Sequence, residues 1–498
     1  MALKRNFSVG LFGSIWSALL GLAVVPLYLK YLGTESYGLI GFFATTQALL
    51  QLLDLGLSPT INREVARCSA TNNMPEAKNL LHTLSVVYWI MAFIIGLIIL
   101  VLAPLISSHW LQVKNLPIDT VTQAIMLMGL VVACRWPVGL YMGALMGMQR
   151  VALSSVISTT FGTLSSLGTV AILILVSPTI HAFFIWQAFI GVCYAFIMHL
   201  VAWRVVESGN EVRKFSVNDL KRIWKFSAGM STLAITGVIL VQMDKVILSK
   251  LLSLEDFGHY VLAGVVANSL YILLTPLFNS IYPRMTALVA SGEINKLISL
   301  YKIGTRLFLS LFFPIVFTGA FHAQDLLYLW TRDFQLAENT ALTVSLLLLG
   351  TGLNGAMHFP FALQLAYGNT KLPLTITSVL ILILVPMTFI LALNYGAIGG
   401  ALAWLILNVF YLFFGTWITH NKLLIGEAKN WLLVCVGYPM LSSVLVISIG
   451  WYLTYVSDEY FHNFIWSGCF MLLSILVNYL LIPKEITAKF EQWYKFKT

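Results

Sequence analysis

Apolar residues along this chain gather into fourteen long runs separated by short polar stretches: 8–30, 37–62, 80–107, 118–147, 151–177, 180–203, 226–249, 257–283, 303–321, 337–366, 372–393, 396–420, 430–453 and 463–482. A helix needs about 20 apolar residues to cross a hydrocarbon core, and these runs meet that length. A membrane barrel would need segments of about ten residues with strict alternation, which are absent here. The pattern predicts an all-α integral membrane protein of about 14 transmembrane helices.

The loops orient the spans. With both termini on the cytoplasmic side of a bacterial inner membrane, 23 of the 29 Lys and Arg residues fall in cytoplasmic stretches. Lys30, Lys114, Lys250 and Arg332 fall outside, and Arg135 and Lys245 lie within spans. Such a bias of basic residues is what sets topology. The longest cytoplasmic connection, residues 205–225, divides the chain into an N-lobe (1–204, spans one to six) and a C-lobe (226–420, spans seven to twelve). Spans thirteen and fourteen follow (421–482), then a tail (483–498). Within the connection, Ser216-Val-Asn-Asp219 reads as a capping box opening a short helix, with Leu220, Ile223 and Trp224 as its apolar stripe. Ile486, Phe490, Trp493 and Tyr494 repeat that arrangement in the tail. Both segments are expected to lie on an anionic leaflet, contacting membrane lipids.

An internal repeat supports the two lobes. Tyr28-Leu-Lys-Tyr-Leu-Gly-Thr-Glu-Ser-Tyr37-Gly38 joins spans one and two, and Leu248-Ser-Lys-Leu-Leu-Ser-Leu-Glu-Asp-Phe257-Gly258 joins spans seven and eight, 220 residues later. The second member of each pair ends alike, at Arg63-Glu64 and at Pro283-Arg284, which makes Arg63 and Arg284 candidates for gating at the cytoplasmic end. Six spans per repeat is an even number, so the two lobes run parallel.

Composition agrees with the pattern: 59% of residues are hydrophobic, 10% are charged, and mean hydropathy is +0.87. The formal charge of +9 sits mostly in short loops, which argues for topology signals rather than a nucleic-acid partner. The five cysteines are scattered without metal-ligand spacing, and no disulfide is expected.

Charges inside spans are the candidate chemistry, because burying one near mid-membrane costs at least about 2.5–3.5 kcal/mol. Arg135 lies near the middle of span four, before Trp136-Pro137, where proline can break the helix. It is read either as a cavity-facing anion ligand, its planar fork suited to phosphate, or as a structural partner of Asp54 or Asp244. Asp244 and Lys245 are adjacent in span seven, about 100° apart around the helix. Asp244 is a candidate for cation or proton coupling, and Lys245 either snorkels outward or adds to a cationic cavity. Asp54 fits a helix-end role as well as a coupling role. Gln47, Gln51, Gln123, Gln187, Gln242, Asn268, Asn279, Asn354, His358 and Gln364 place amides and an imidazole in the spans. Of these, Gln47, Gln51, Gln242, Asn268 and Asn354 are candidate glycan ligands. No P-loop, metal cluster or nucleophile motif is present in the sequence, so neither a cofactor nor ATP hydrolysis is expected.

The stretch Asn6…Gly13…Pro26-Leu-Tyr-Leu-Lys-Tyr-Leu32-Gly33…Tyr37-Gly38, with Leu53-Asp54-Leu-Gly56-Leu…Arg63-Glu64, resembles the polysaccharide-biosynthesis flippases. These are the O-antigen-unit translocases of the multidrug/oligosaccharidyl-lipid/polysaccharide exporter superfamily. Gln242-Met-Asp244-Lys245, Phe257-Gly258-His-Tyr260 and Pro283 are similar to that family too. The resemblance implies two bundles around a central cavity that rock between inward- and outward-open states. It also implies an undecaprenyl-pyrophosphate-linked oligosaccharide as substrate, with a polysaccharide polymerase and a chain-length regulator as candidate neighbours. Energy would come from a proton or sodium gradient, the membrane potential or the substrate gradient. Many members have twelve spans, so fourteen places this chain nearer the lipid II flippase layout. Two other readings stand beside it: a cation-coupled multidrug antiporter of the same fold, and a polymerase or ligase acting on the same lipid. The antiporter would favour an acidic cavity, and the enzyme a sizeable periplasmic loop.

Overall fold

The computed structural model of the chain describes residues 2–206, 215–454 and 460–482. These residues are nearly all helical, and the one inter-strand pairing among them is an isolated bridge between Gln112 and Ser253. In chain order the helices are α1 (Ala2–Leu50), α2 (Leu57–Ala70), α3 (Met74–Leu105), α4 (Ile118–Arg135), α5 (Val138–Gly147), α6 (Val151–Leu175), α7 (Ile180–Val206), α8 (Val217–Leu251) and α9 (Leu254–Asn268). There follow α10 (Tyr271–Ala290), α11 (Ile294–Phe321), α12 (Ala323–Thr331), α13 (Phe334–Ala366), α14 (Lys371–Phe410), α15 (Thr416–Leu423), α16 (Ala428–Asn430), α17 (Tyr438–Thr454) and α18 (Tyr460–Leu480).

Every apolar run of the sequence falls on helix. Among the described residues, ten helices are long and apolar enough to cross a membrane, and the bent pair α9–α10 makes an eleventh. Two of the ten, Phe12–Asp54 and Lys371–Leu423, each carry two of the runs. The chain turns inside them at Gly33 (φ 79°) and Gly396 (φ 58°), where only glycine takes such a backbone without strain. The protein is therefore a multi-pass membrane protein. The expected separate linker helix is corrected: α8 runs unbroken from Val217 through span seven, 35 residues in all. Its first turn docks on the N-terminal helices, where Ser216 N–H donates to Thr83 Oγ1 (3.1 Å) and Leu220 packs on their core. The basic residues at 207–214 and the whole amphipathic tail lie outside the described residues.

The chain forms two compact units, residues 1–258 and 259–498. In the first, α1 packs on α6, α3 on α4, α2 on α5 and α4 on α7, and α8 lies against α1, α2 and α3. The α2–α5 contact fixes the site described below. Gly139, Gly143 and Gly147 recur every four residues on α5, and the α2 backbone lies directly on that stripe. A Cβ at Gly143 would come 2.6 Å from Ser58 O, and one at Gly147 would come 2.5 Å from Asn62 O. Without a hydrophobic force between helices in lipid, such small-residue stripes supply the close packing. Around them, Leu57, Ile61, Leu84, Tyr88, Tyr141 and Met198 form a buried core.

The two copies of the sequence repeat meet each other at the end of this unit. A Cβ on Gly38 would lie 2.1 Å from Leu254 O, and one on Gly258 would lie 2.4 Å from Thr34 O. Positions 34 and 254, like 38 and 258, are equivalent in the repeat, so the contact is self-complementary in the manner of a two-fold interface. The α3–α4 loop laces over the same place. Leu254 N–H donates to Gln112 O (2.8 Å), Trp110 Nε1 to Ser249 Oγ (3.1 Å), and Lys114 and Asn115 N–H to the buried Glu35 carboxylate (2.7 and 3.1 Å).

In the second unit, α11 is the buried axis, contacting α13, α17 and α18. Arg306, near the start of the apolar run 303–321 and counted with the cytoplasmic charges, lies in α11 and is fully buried. Its Nη1 donates to Val434 O (2.9 Å), a carbonyl in the widened π-type turn Trp431–Gly437, and its Nη2 to Leu481 O (3.2 Å) just past α18. The guanidinium thereby ties spans thirteen and fourteen to span nine. Arg306→Ala is expected to destabilise the fold by about 2–5 kcal/mol, since it removes both hydrogen bonds and empties a fully buried side-chain site. The check is the thermal melting of detergent-solubilised protein, which would stay unchanged if the clamp carried no load.

Candidate functional site

Two spans of the first unit break in mid-course, and the breaks face one cavity. Span two leaves α1 through a tight turn at Gln51–Asp54, and Leu55 and Gly56 then take left-handed conformations (φ 48° and 75°) before α2 begins. Span four breaks at Trp136-Pro137, between α4 and α5, because the proline ring cannot continue the helix. Arg135 is the last residue of α4. Discontinuous membrane helices free backbone groups and place polar side chains at a binding site, where they are tolerated only beside protein or water.

The cavity measures about 310 Å³ and is lined by Gln47, Gln51, Asp54, Ser58, Tyr88, Val132, Arg135, Trp136 and Gly139. Four residues singled out in the sequence, Gln47, Gln51, Asp54 and Arg135, thus come together. Asp54 is engaged at its own helix end: its carboxylate accepts from Ser58 N–H (3.2 Å), from Ser58 Oγ (3.0 Å) and, by a short contact, from the Tyr88 hydroxyl. It caps α2 and forms part of the cavity wall at once.

Arg135 pairs with no carboxylate among the described residues. Its Nη2 donates to Gln187 Oε1 (2.5 Å) and Ser165 Oγ (3.3 Å), while its Nε is buried without a hydrogen-bond partner. Gln187 is in turn fixed by donating from Nε2 to Thr169 Oγ1 (3.0 Å) and accepting from Ser165 (2.7 Å). The arginine stem crosses α7 at Gly191, where a Cβ would meet Arg135 Cγ at 3.3 Å. A neutral amide network therefore aims the guanidinium without cancelling its charge. The roles of Gln187, Ser58, Tyr88 and Gly191 were not assigned from sequence. Their residue types are common in membrane helices, and only the helix packing brings them to Arg135 or Asp54.

The other candidates lie elsewhere. Asp244 is buried in α8, and Lys245 folds back along the same helix, with its Nζ 3.0 Å from Val241 O and 3.7 Å from Asp244 Oδ1. The flexible stem brings the two neighbours together despite their divergent Cβ directions. Gln242 is half-buried on that helix, and Arg63 is exposed on α2. In the second unit Asn268 is exposed at the α9–α10 break and Arg284 is half-buried on α10. Asn354 sits between Tyr271 Oη (3.2 Å) and Asn408 Oδ1 (2.9 Å), as a linker of α10, α13 and α14. The break at Asn268 answers the one at Asp54, so both repeats interrupt their second span.

The structure is similar to a lipid II flippase, MurJ, in its inward-closed conformation, with TM-score 0.70, 15% identity, 96% of this chain and 99% of that chain covered. It is also similar to an inward-facing multidrug resistance MATE family transporter of the MOP superfamily (TM-score 0.65, 14% identity, 83% and 96% covered). A MOP superfamily transporter from Pyrococcus furiosus, described as having reversed binding-pocket polarity, aligns with TM-score 0.55, 15% identity, 86% and 96% covered. No curated protein matches the chain by sequence. The family model of the polysaccharide biosynthesis proteins matches residues 3–289, more than half of the chain, and the chain belongs to that family.

Proposed function

We propose that the chain is a flippase that carries an undecaprenyl-pyrophosphate-linked oligosaccharide, a surface-polysaccharide repeat unit, from the cytoplasmic to the periplasmic leaflet. One observation carries the reading: an arginine within a span lines a polar cavity, held by neutral side chains and, among the described residues, paired with no carboxylate. Such a fixed cation is costly unless an anion visits it. Pyrophosphate is the group that every lipid-linked glycan of this class shares, and it must cross the low-dielectric core. Gln47 and Gln51 on the same wall offer amides for the sugars. The family match supports a role in polysaccharide assembly, and the likeness to MurJ and MATE structures supports a fold able to open on alternate sides.

A multidrug antiporter is the second reading, favoured by Asp54 in the same wall. That carboxylate, however, is already committed to Ser58 and Tyr88. Deleting the gene and measuring both surface glycan and sensitivity to cationic dyes separates the two. Lost glycan with unchanged dye sensitivity supports the flippase, and the reverse supports the antiporter.

The orientation is part of the proposal. Reporter fusions after Lys78 and Lys296 are expected to read cytoplasmic, and those after Lys114, Ser253 and Asp333 periplasmic. The reversed pattern would place the cavity's entry on the other side.

A further inference from the structure

A second cavity, of about 550 Å³, opens on the outer side of the first unit between α3 and α7. It is lined by His82, Ser85, Val86, Trp89, Ile90, Phe93, His199 and Trp203. Its two ends differ in chemistry. Toward Phe93 the wall is apolar and open, with Trp89 45%, Ile90 54% and Phe93 70% exposed. Toward the α2–α3 end of the bundle the wall carries two imidazoles, the buried Ser85 hydroxyl and the Trp203 indole, with both histidine rings within 6.4 Å of the Trp203 ring. Tyr141 braces this end, its hydroxyl 2.8 Å from His199 Nδ1 and 3.2 Å from Trp89 Nε1.

The spacing matches one lipid leaflet. His82 to Phe93 is eleven residues of helix, about 16 Å, against a half-bilayer core of about 15 Å. Arg204 follows Trp203 on α7 and is exposed there, whereas Lys78, one turn before His82 on α3, is buried and does not line the groove. Two imidazoles, a hydroxyl and an indole beside the exposed Arg204, above an apolar slot, complement an anionic phospholipid.

We infer that the α3–α7 groove is a binding site for one anionic phospholipid, separate from the Arg135 cavity, with the phosphate at His82 and an acyl chain along Val86, Trp89 and Phe93. Native mass spectrometry of the delipidated full chain, incubated with phosphatidylglycerol or with phosphatidylcholine, tests this. One phosphatidylglycerol is expected to persist at collision energies that strip phosphatidylcholine. His82→Ala removes a headgroup donor, and Val86→Trp fills the slot. Each is expected to lower retention about tenfold, for His82→Ala through the loss of one hydrogen bond to a charged group and for Val86→Trp through exclusion of the acyl chain. Leu382→Trp, on an exposed apolar position elsewhere (74% exposed), is expected to retain the lipid. Equal retention of the two lipids, unchanged retention in either groove variant, or an equal loss in Leu382→Trp overturns the assignment. A co-purifying polypeptide in place of lipid does so too.

Discussion

Arg135→Ala is expected to lower the rate of lipid-linked glycan transfer about 100-fold while the protein still inserts and melts as the parent does. The magnitude follows from two charge-assisted hydrogen bonds to phosphate, each about 1.5–3 kcal/mol in a water-poor site. The fold should survive because Arg135 is held by neutral partners, Gln187 and Ser165, and has no ion pair among the described residues. Arg135→Lys should recover part of the rate, since an ammonium keeps the charge but lacks the planar fork. Adding Asp244→Ala or Asp54→Ala should rescue nothing. Rescue by either would reveal a structural pairing that the geometry does not contain. Gln187→Leu tests the aim of the guanidinium: a larger loss in apparent affinity than in expression marks a positioning role, and a proportional loss of both marks a packing role.

The second large effect is expected at the crossing of the repeats. Gly38→Val places methyl groups where the Leu254 carbonyl already lies, 2.1 Å from the Cβ position, and neither backbone is the free end of a flexible side chain. The α1 corner must separate from the α8–α9 corner, so transfer should fall at least about tenfold, the cost of moderate overpacking. Ser253, 7% exposed in this contact, reports the separation. A cysteine there should resist a membrane-impermeant maleimide in the parent and react in Gly38→Val. Gly21→Val is the control, because no atom lies within 4 Å of its Cβ position. Equal labelling in all three proteins would mean that the close approach does not seal this end.

Much of this was legible in the sequence, for physical reasons that also set the limit. Burying backbone in lipid forces helix, so apolar runs map onto helices, with Gly33 and Gly396 supplying the turns where two runs follow each other without a loop. Arg135 stood out because a charge amid apolar residues before Trp136-Pro137 has few innocent explanations. Gln47, Gln51 and Asp54 share its cavity because they follow one face of span two into its break. Gln187 was visible as a polar residue, but its bond to Arg135 depends on how α7 lies across α4, which no local pattern encodes. Arg306 was missed because a charge near a span end reads as a topology signal. Only the loosened turn at Trp431–Gly437 supplies the carbonyl that makes it a clamp. The repeat was read from one matched corner, and that corner proved to be where its two copies touch.

The central claim is tested most directly by transfer itself. The purified chain is reconstituted in vesicles loaded on one leaflet with a fluorescent polyprenyl-pyrophosphate oligosaccharide, and arrival on the other leaflet is read by an impermeant quencher. The expected result is transfer by the parent protein, its loss in Arg135→Ala, and no transfer of a cationic dye across the same vesicles. A labelled lipid that stays in its leaflet while the dye crosses, or transfer that is indifferent to Arg135, would contradict the account.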